Sequence, residues 1–105
     1  MIVVIGVTAA GAGVAQGQQG CSSVCLYDGT GYSGLLASFS SSTANVGNGV
    51  NDRASSVFNA TSGSVRLFSD GNYGGASVCV NPNSGFGDLG TVGLNNAVSS
   101  LRFGC

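Results

Sequence analysis

Two short stretches of the chain, residues 24–27 and 65–68, alternate their side chains in the manner of half-buried β-strands. Each is followed by a glycine-rich turn and then by an aromatic residue, Tyr32 or Tyr73. Second strands are predicted at 35–39 and 76–80, and closing strands at 55–58 and 99–103. No stretch predicts a helix of convincing length. The pattern therefore predicts an all-β fold.

The same order of features occurs twice along the chain. The stretch 27–34 reappears as 68–75, a shift of 68 − 27 = 41 residues, and 51–56 reappears as 95–100, a shift of 95 − 51 = 44 residues. Tandem motifs of about 40 residues indicate a duplicated unit with pseudo-twofold symmetry. We expect two four-stranded motifs, residues 24–60 and 65–105, in one sandwich, with variable loops at 40–48 and 81–93.

Composition narrows the function. The 105 residues include 19 Gly, one Pro, three basic and four acidic residues, and no His or Trp, with a formal net charge of −1. With so few basic residues the chain cannot form a basic patch that binds a phosphate backbone, which argues against nucleic-acid binding. Without His, Lys or Glu, only four Asp remain as ordinary general bases, which argues against an enzyme. The length fits one domain.

The first residues differ from the rest. Residues 1–15 combine an apolar run with small residues, which is typical of a secretory signal, although a positively charged start is missing. A buried first strand or a membrane anchor is the alternative, but the run is short and glycine-rich for a spanning helix. We expect a secreted, extracellular protein whose residues 16–23 are a flexible lead-in to the domain.

Four cysteines suit an exported chain: Cys21, Cys25, Cys79 and Cys105. An even number in a short secreted domain favours two disulfides, whereas a zinc site is disfavoured because no Cys-x-x-Cys pair and no His are present. Three pairings are possible. Cys21–Cys25 with Cys79–Cys105 is the preferred one.

Two segments carry clustered oxygen-bearing side chains, residues 51–56 and 95–100. Amide, hydroxyl, carboxylate and carbonyl oxygens are ligands that Ca²⁺ accepts, whereas Mg²⁺ demands a more rigid octahedron. The alternative is that Asn, Asp and Ser simply cap local backbone groups in turns. For one isolated segment that alternative is favoured, but two copies in register favour calcium.

These residues resemble the βγ-crystallin superfamily. Its Greek-key signature, an aromatic residue, then Gly after six residues and Ser after three more, is met by Tyr27, Gly34 and Ser38. In the second copy, Phe68 and Gly75 match, but Cys79 replaces the Ser. The family's calcium signature is met in full at 51–56 and 95–100. The chain also resembles, more loosely, exported microbial proteins that use one such domain as a metalloproteinase inhibitor.

The resemblance implies one fold, two Greek-key motifs in a βγ-crystallin-like sandwich, and two weak calcium sites, the first one tighter because its signature contains Asp52. The implied ligands of the first site are Asn51, Asp52 or the Arg53 backbone, Ser99, and a carbonyl near Asp28 or Gly29. Those of the second site are Asn95, Asn96 or the Ala97 backbone, Ser55, and a carbonyl near Ser69 or Asp70. The second serine of each signature, Ser56 or Ser100, is expected to satisfy backbone groups instead.

Two functions follow. The first is a secreted, monomeric, non-enzymatic calcium-binding domain with a structural or interaction role and no membrane partner. The alternative is a secreted inhibitor of metalloproteases, for which the long 81–93 segment after Cys79 is the candidate contact with the protease.

Overall fold

The computed structural model describes residues 21–105, so the expected signal-like segment 1–15 and most of the expected lead-in 16–23 lie outside the described residues. The described chain forms seven β-strands and one short 3₁₀ helix. In chain order these are β1 (Val24–Gly29), β2 (Ser33–Phe39), β3 (Ser56–Asn59), β4 (Val65–Asp70), β5 (Gly74–Val80), β6 (Ser84–Phe86), the 3₁₀ helix (Leu89–Val92) and β7 (Ser100–Phe103).

The strands form two antiparallel sheets, with strand order β2-β1-β3-β6 in one and β5-β4-β7 in the other. Each motif builds three strands of its own sheet, and β6 of the second motif crosses over to pair with β3 of the first. Each sheet is thus built mainly from one motif, and β6 joins the second motif to the first sheet. The all-β prediction with two tandem Greek-key motifs is therefore confirmed.

The core lies between the sheets and is aliphatic. Strands contribute fully buried side chains such as Leu26, Val57, Leu67 and Leu101, and the loops add more. Buried loop residues are Val46, Val50, Ala54, Leu89, Leu94 and Val98. These buried side chains therefore anchor the loops that carry the calcium signatures to the core.

The two first hairpins share one unusual backbone geometry. Gly34 and Gly75 have φ of 71° and 78°, and the tyrosines that precede them, Tyr32 and Tyr73, have φ of 63° and 61°. Left-handed backbone favours glycine, and a register shift interrupts the β1–β2 and β4–β5 ladders close by. The rings fold back onto their strands, with Tyr27–Tyr32 and Phe68–Tyr73 centroids both 5.9 Å apart.

Two details differ from the expectation of two four-stranded motifs. The second sheet has three strands among the described residues, and the first motif contributes to it only an isolated bridge, Thr43 to Leu101. The 81–93 segment is not a loop throughout, because Ser84–Phe86 pairs with β3 and the 3₁₀ helix buries Leu89. Both differences depend on pairing between strands that are far apart along the chain, which the local sequence pattern does not predict.

Two disulfides brace the domain: Cys21–Cys25 at the start of β1 and Cys79–Cys105 between β5 and the end of the chain. This is the preferred pairing. Among residues 21–105 no helix is long and apolar enough to cross a bilayer.

Candidate functional site

The first calcium signature reaches across to the second motif. The Ser99 hydroxyl donates to Asp52 Oδ1 at 3.3 Å, and the Asp52 amide donates to the Val98 carbonyl at 3.1 Å. Asp52 has φ of 60°, a left-handed conformation that Asp and Asn tolerate better than most residues. The backbone therefore presents the Asp52 carboxylate to the partner motif.

The second signature repeats this arrangement toward the first motif. The Ser55 hydroxyl donates to Asn96 Oδ1 at 3.4 Å, and the Asn96 amide donates to the Ala54 carbonyl at 2.9 Å. Asn96 has φ of 55°, close to that of Asp52. The sequence repeat has thus become a spatial repeat at the junction of the motifs.

Each calcium signature lies beside a different hairpin turn from the one expected from the sequence. The Ser55 amide donates to the Tyr27 carbonyl at 2.8 Å, and the Ser99 amide donates to the Phe68 carbonyl at 2.9 Å. Each serine is therefore beside the first hairpin of its own motif. Ser99, and with it Asp52, meets the 69–70 turn, whereas Ser55 and Asn96 meet the 28–29 turn.

Two clusters result. The Asp52 cluster comprises Asn51, Asp52, Ser69, Asp70 and Ser99, and the Asn96 cluster comprises Asp28, Gly29, Ser55, Asn95 and Asn96. All the expected ligand residues except Arg53 and Ala97 belong to these clusters, and the 28–29 and 69–70 turns exchange places relative to the sequence-based grouping.

The Asp52 cluster lines a polar cleft of about 340 Å³. Its walls are Asn45, Asn48, Asn51, Asp52, Ser69, Asp70, Gly71 and Ser99. Two carboxylates and several amide and hydroxyl oxygens therefore surround one small volume. The sequence analysis did not include Asn45 and Asn48, since they lie outside the repeated signature and nothing in their spacing marks them.

The second serine of each signature has the structural role that was expected. Ser56 Oγ donates to the Gly29 carbonyl at 2.6 Å and accepts from the Tyr32 amide at 3.1 Å. Ser100 Oγ does the same with the Asp70 carbonyl at 2.6 Å and the Tyr73 amide at 3.0 Å. These hydroxyls fix the two hairpin turns from beneath, so the turn residues keep their position beside the clusters.

The two clusters differ in charge. Arg53 Nη2 lies 3.3 Å from Asp28 Oδ2, with both side chains about half exposed, and Arg53 Nη1 donates to the Gly49 carbonyl at 3.1 Å. The Asn96 cluster thus has one carboxylate next to a guanidinium, whereas the Asp52 cluster has two carboxylates, from Asp52 and Asp70. The Asp52 cluster is therefore the more negatively charged of the two.

The donor set fits a hard cation. Among residues 21–105 no group of three or more His, Cys, Asp or Glu is placed to hold a metal, so the ligands must include neutral oxygens. Ca²⁺ takes backbone, amide and hydroxyl oxygens together with carboxylates at flexible distances. The backbones of Arg53 and Ala97 were expected as alternative ligands. Their amides donate within local turns instead, to the Val50 and Leu94 carbonyls at 3.0 and 3.1 Å, respectively.

A second surface feature is the Pro82 turn, residues 81–84, in which every residue is exposed. Fully buried Asn59 supports it, because Asn59 Nδ2 donates to the carbonyls of Gly63, Val80 and Asn81 at 2.8, 3.3 and 3.2 Å. The Asn83 amide donates to the Thr61 carbonyl at 3.1 Å. Cys79, two residues before the turn, is linked to Cys105 by a disulfide. The sequence analysis did not single out Asn59, whose only signal is its place at the link between motifs.

Comparison with known proteins gives a family match and several similar folds. The sequence model of peptidase inhibitor family I36 matches residues 15–80. No curated protein sequence matches the chain.

Solved structures include several similar folds. A structure from work on the evolution of the eye lens βγ-crystallin domain fold has a TM-score of 0.73 and 26% identity over 78% of this chain and 84% of that one. A βγ-crystallin from an archaeon gives 0.67 and 26% over 76% and 94%. A βγ-crystallin domain from Flavobacterium johnsoniae gives 0.63 and 29% over 76% and 91%.

Proposed function

This chain belongs to peptidase inhibitor family I36, and from that membership we propose that it is a secreted, non-enzymatic inhibitor of peptidases, with metalloproteases as the first class to test. The observation that supports this proposal is the Pro82 turn, residues 81–84. The sequence alone ranked calcium binding first and inhibition second. Membership of the family favours inhibition as the first proposal.

Rigidity is the physical argument for the turn. A segment that enters a protease cleft loses conformational entropy on binding, and a segment already fixed loses less. Asn59 hydrogen-bonds carbonyls at the start of the turn, β6 pairs with β3 at its end, and Pro82 restricts φ. The exposed side chains are thus presented on a preorganised backbone.

A panel of bacterial metalloproteases, thermolysin-like ones first, tests this proposal with the oxidised protein. We expect dose-dependent inhibition that Pro82→Glu weakens, because a buried glutamate carboxylate in the protease cleft is costly. The matched control is Ser41→Glu, at an exposed position whose side chain makes no hydrogen bond to residues 21–105. No inhibition of any protease in the panel would contradict the proposal, and equal loss in both variants would remove the Pro82 turn from it.

We further propose that the domain binds calcium at the Asp52 and Asn96 clusters, as a stabilising ion. The cleft lined by Asp52, Asp70 and Ser99 is the observation that favours it. When bound, the ion would supply positive charge that offsets repulsion between the two carboxylates. The low carboxylate number predicts affinity in the micromolar to millimolar range of extracellular modules, tighter at the Asp52 cluster.

Calorimetry on chelated, oxidised protein tests this second proposal. A ligand that binds only the native state raises the free energy of unfolding by mass action, so the melting temperature should rise with calcium. Asp52→Asn should remove the tighter phase, whereas Asp88→Asn, at the cap of the 3₁₀ helix, should keep it. The proposal is wrong if millimolar calcium neither releases heat nor shifts the melting temperature.

A further inference from the structure

The wall of the Asp52 cleft contains the Gly47 turn, residues 47–51, and neither proposed function uses the tip of this turn, Asn48 and Gly49. The Gly47 carbonyl accepts from the amides of Val50 and Asn51 at 3.0 and 2.8 Å, so Asn48 and Gly49 occupy the exposed tip. Asn48 lines the cleft. Asn48 is therefore exposed to solvent and lines the same cleft as the carboxylates of Asp52 and Asp70.

We propose that Asn48 is a site of spontaneous deamidation that adds a negative charge to the cleft. The Gly49 amide nitrogen attacks Cγ of Asn48, an N–Cγ bond forms, the Cγ–Nδ2 bond breaks, and ammonia leaves with the amide proton. Solvent water then opens the five-membered succinimide at either carbonyl. The product is aspartate or isoaspartate at position 48, each with one new carboxylate.

Sequence and structure single out this asparagine. Of the nine asparagines in the chain, Asn48 alone precedes a glycine, and the missing Cβ leaves the attacking nitrogen unhindered. Gly49 is exposed, and a Cβ built on it would meet nothing within 4 Å. Its amide donates no hydrogen bond to the described residues.

Other asparagines are engaged or hindered. Asn59 is fully buried and Asn45 accepts from the Gly47 amide at 2.9 Å, while Asn81 precedes a proline that has no amide proton. Asn83, exposed and followed by Ser84, is the nearest competitor. Attack at Asn48 requires the Gly47 turn to open, which breaks the two bonds to the Gly47 carbonyl and the bond from Arg53 Nη1 to the Gly49 carbonyl. Bonds at an exposed turn open at lower cost than bonds in the core.

The charge has two consequences. A third carboxylate beside Asp52 and Asp70 should destabilise the metal-free protein by like-charge repulsion, and salt should screen the effect. It should also tighten calcium binding, because carboxylate number tunes affinity. This second consequence rests on the calcium proposal; the deamidation itself does not.

Peptide mapping by mass spectrometry tests the modification. The oxidised chain is aged in chelator at mildly alkaline pH. We expect conversion of a side-chain amide to a carboxyl group to accumulate first in the peptide that contains Asn48, with isoaspartate among the products. Gly49→Ala is the matched control, since its Cβ has room and the backbone is not left-handed. It should slow the exchange many-fold while the rate at Asn83 stays unchanged. Faster exchange at Asn83, or equal rates in both proteins, would overturn the proposal.

Asn48→Asp tests the consequences. In chelator at low salt it should melt below the unsubstituted protein, and the difference should shrink at high salt. In calcium calorimetry it should bind several-fold more tightly. If the unsubstituted protein binds calcium and the variant binds no better, the effect on affinity is wrong. If neither binds, the calcium proposal fails and the mass data still decide the deamidation.

Discussion

Ser99 and Asp52 are 47 positions apart, yet the hydroxyl of one donates to the carboxylate of the other at 3.3 Å. Ser55 and Asn96, 41 positions apart, form the matching contact at 3.4 Å. Each contact joins a signature of one motif to the closing segment of the other. Ligand binding at either cluster would therefore tie the two motifs together, so binding and stability should be coupled in this domain.

Pairing between β6 and β3 can be tested with one methyl group. A Cβ on Gly85 would collide with the Val57 carbonyl and lie 3.0 Å from Phe58 Cα, both on the neighbouring strand. We expect Gly85→Ala to lower the free energy of unfolding by about 1–3 kcal/mol, measured by urea denaturation. Gly63→Ala, with nothing within 4 Å, should change it little. Equal stability of the two variants would contradict the β3–β6 pairing.

That strand also marks a limit of sequence analysis. The repeat and the six strands predicted from it follow from periodicity and spacing, because each depends on local residue type, whereas the roles of Ser56 and Ser100 were implied by the family resemblance. Residues 84–86 show no alternation of their own, and their strand forms because β3 offers an unpaired edge. Local pattern cannot record a partner supplied from 27 or so positions away.

The exchanged turns have a similar cause. Spacing showed that Asn51 and Asp52 belong to a repeated signature, but it did not show which hairpin would face them. That depends on β7 pairing with β4, which places Ser99 beside Phe68 rather than beside Tyr27. The sequence can therefore predict which residues belong to the repeat. Which residues of the two motifs contact each other depends on how the strands pair in the sandwich.

The two disulfides should contribute unequally to stability. Cys79–Cys105 closes 26 residues and Cys21–Cys25 closes four, and the loop-entropy relation gives about 3.5 and about 2 kcal/mol, respectively. Double Cys→Ala variants, compared by urea denaturation, should follow that order. The Cys79–Cys105 variant should also lose more inhibition, since that bridge anchors the Pro82 turn. A larger loss of stability from removing Cys21–Cys25 would contradict the loop-closure argument.

Alkaline pH should destabilise the first hairpin. Burial raises the pKa of Tyr27 above 10.0, with a smaller contribution from Tyr32, and burial also raises the pKa of Tyr32. The folded state therefore keeps these protons longer than the unfolded state, so stability is full below pH 10 and falls as pH rises through the folded pKa values. Urea denaturation at about pH 8 and about pH 11 measures the loss. Tyr32→Phe should reduce the pH dependence, and an unchanged dependence would contradict this assignment.

Adjacent serines of the second signature should separate metal binding from folding. Ser100 is fully buried and bridges the Asp70 carbonyl and the Tyr73 amide, so Ser100→Ala leaves both unpaired and should cost about 1–3 kcal/mol. Ser99→Ala loses only the long contact to Asp52 and should cost about 0.5–1.5 kcal/mol. Its main effect should be a smaller calcium-induced rise in melting temperature, which Ser100→Ala should retain. The opposite pattern, with calcium dependence lost in Ser100→Ala and kept in Ser99→Ala, would remove the Ser99 hydroxyl from the proposed ligand set.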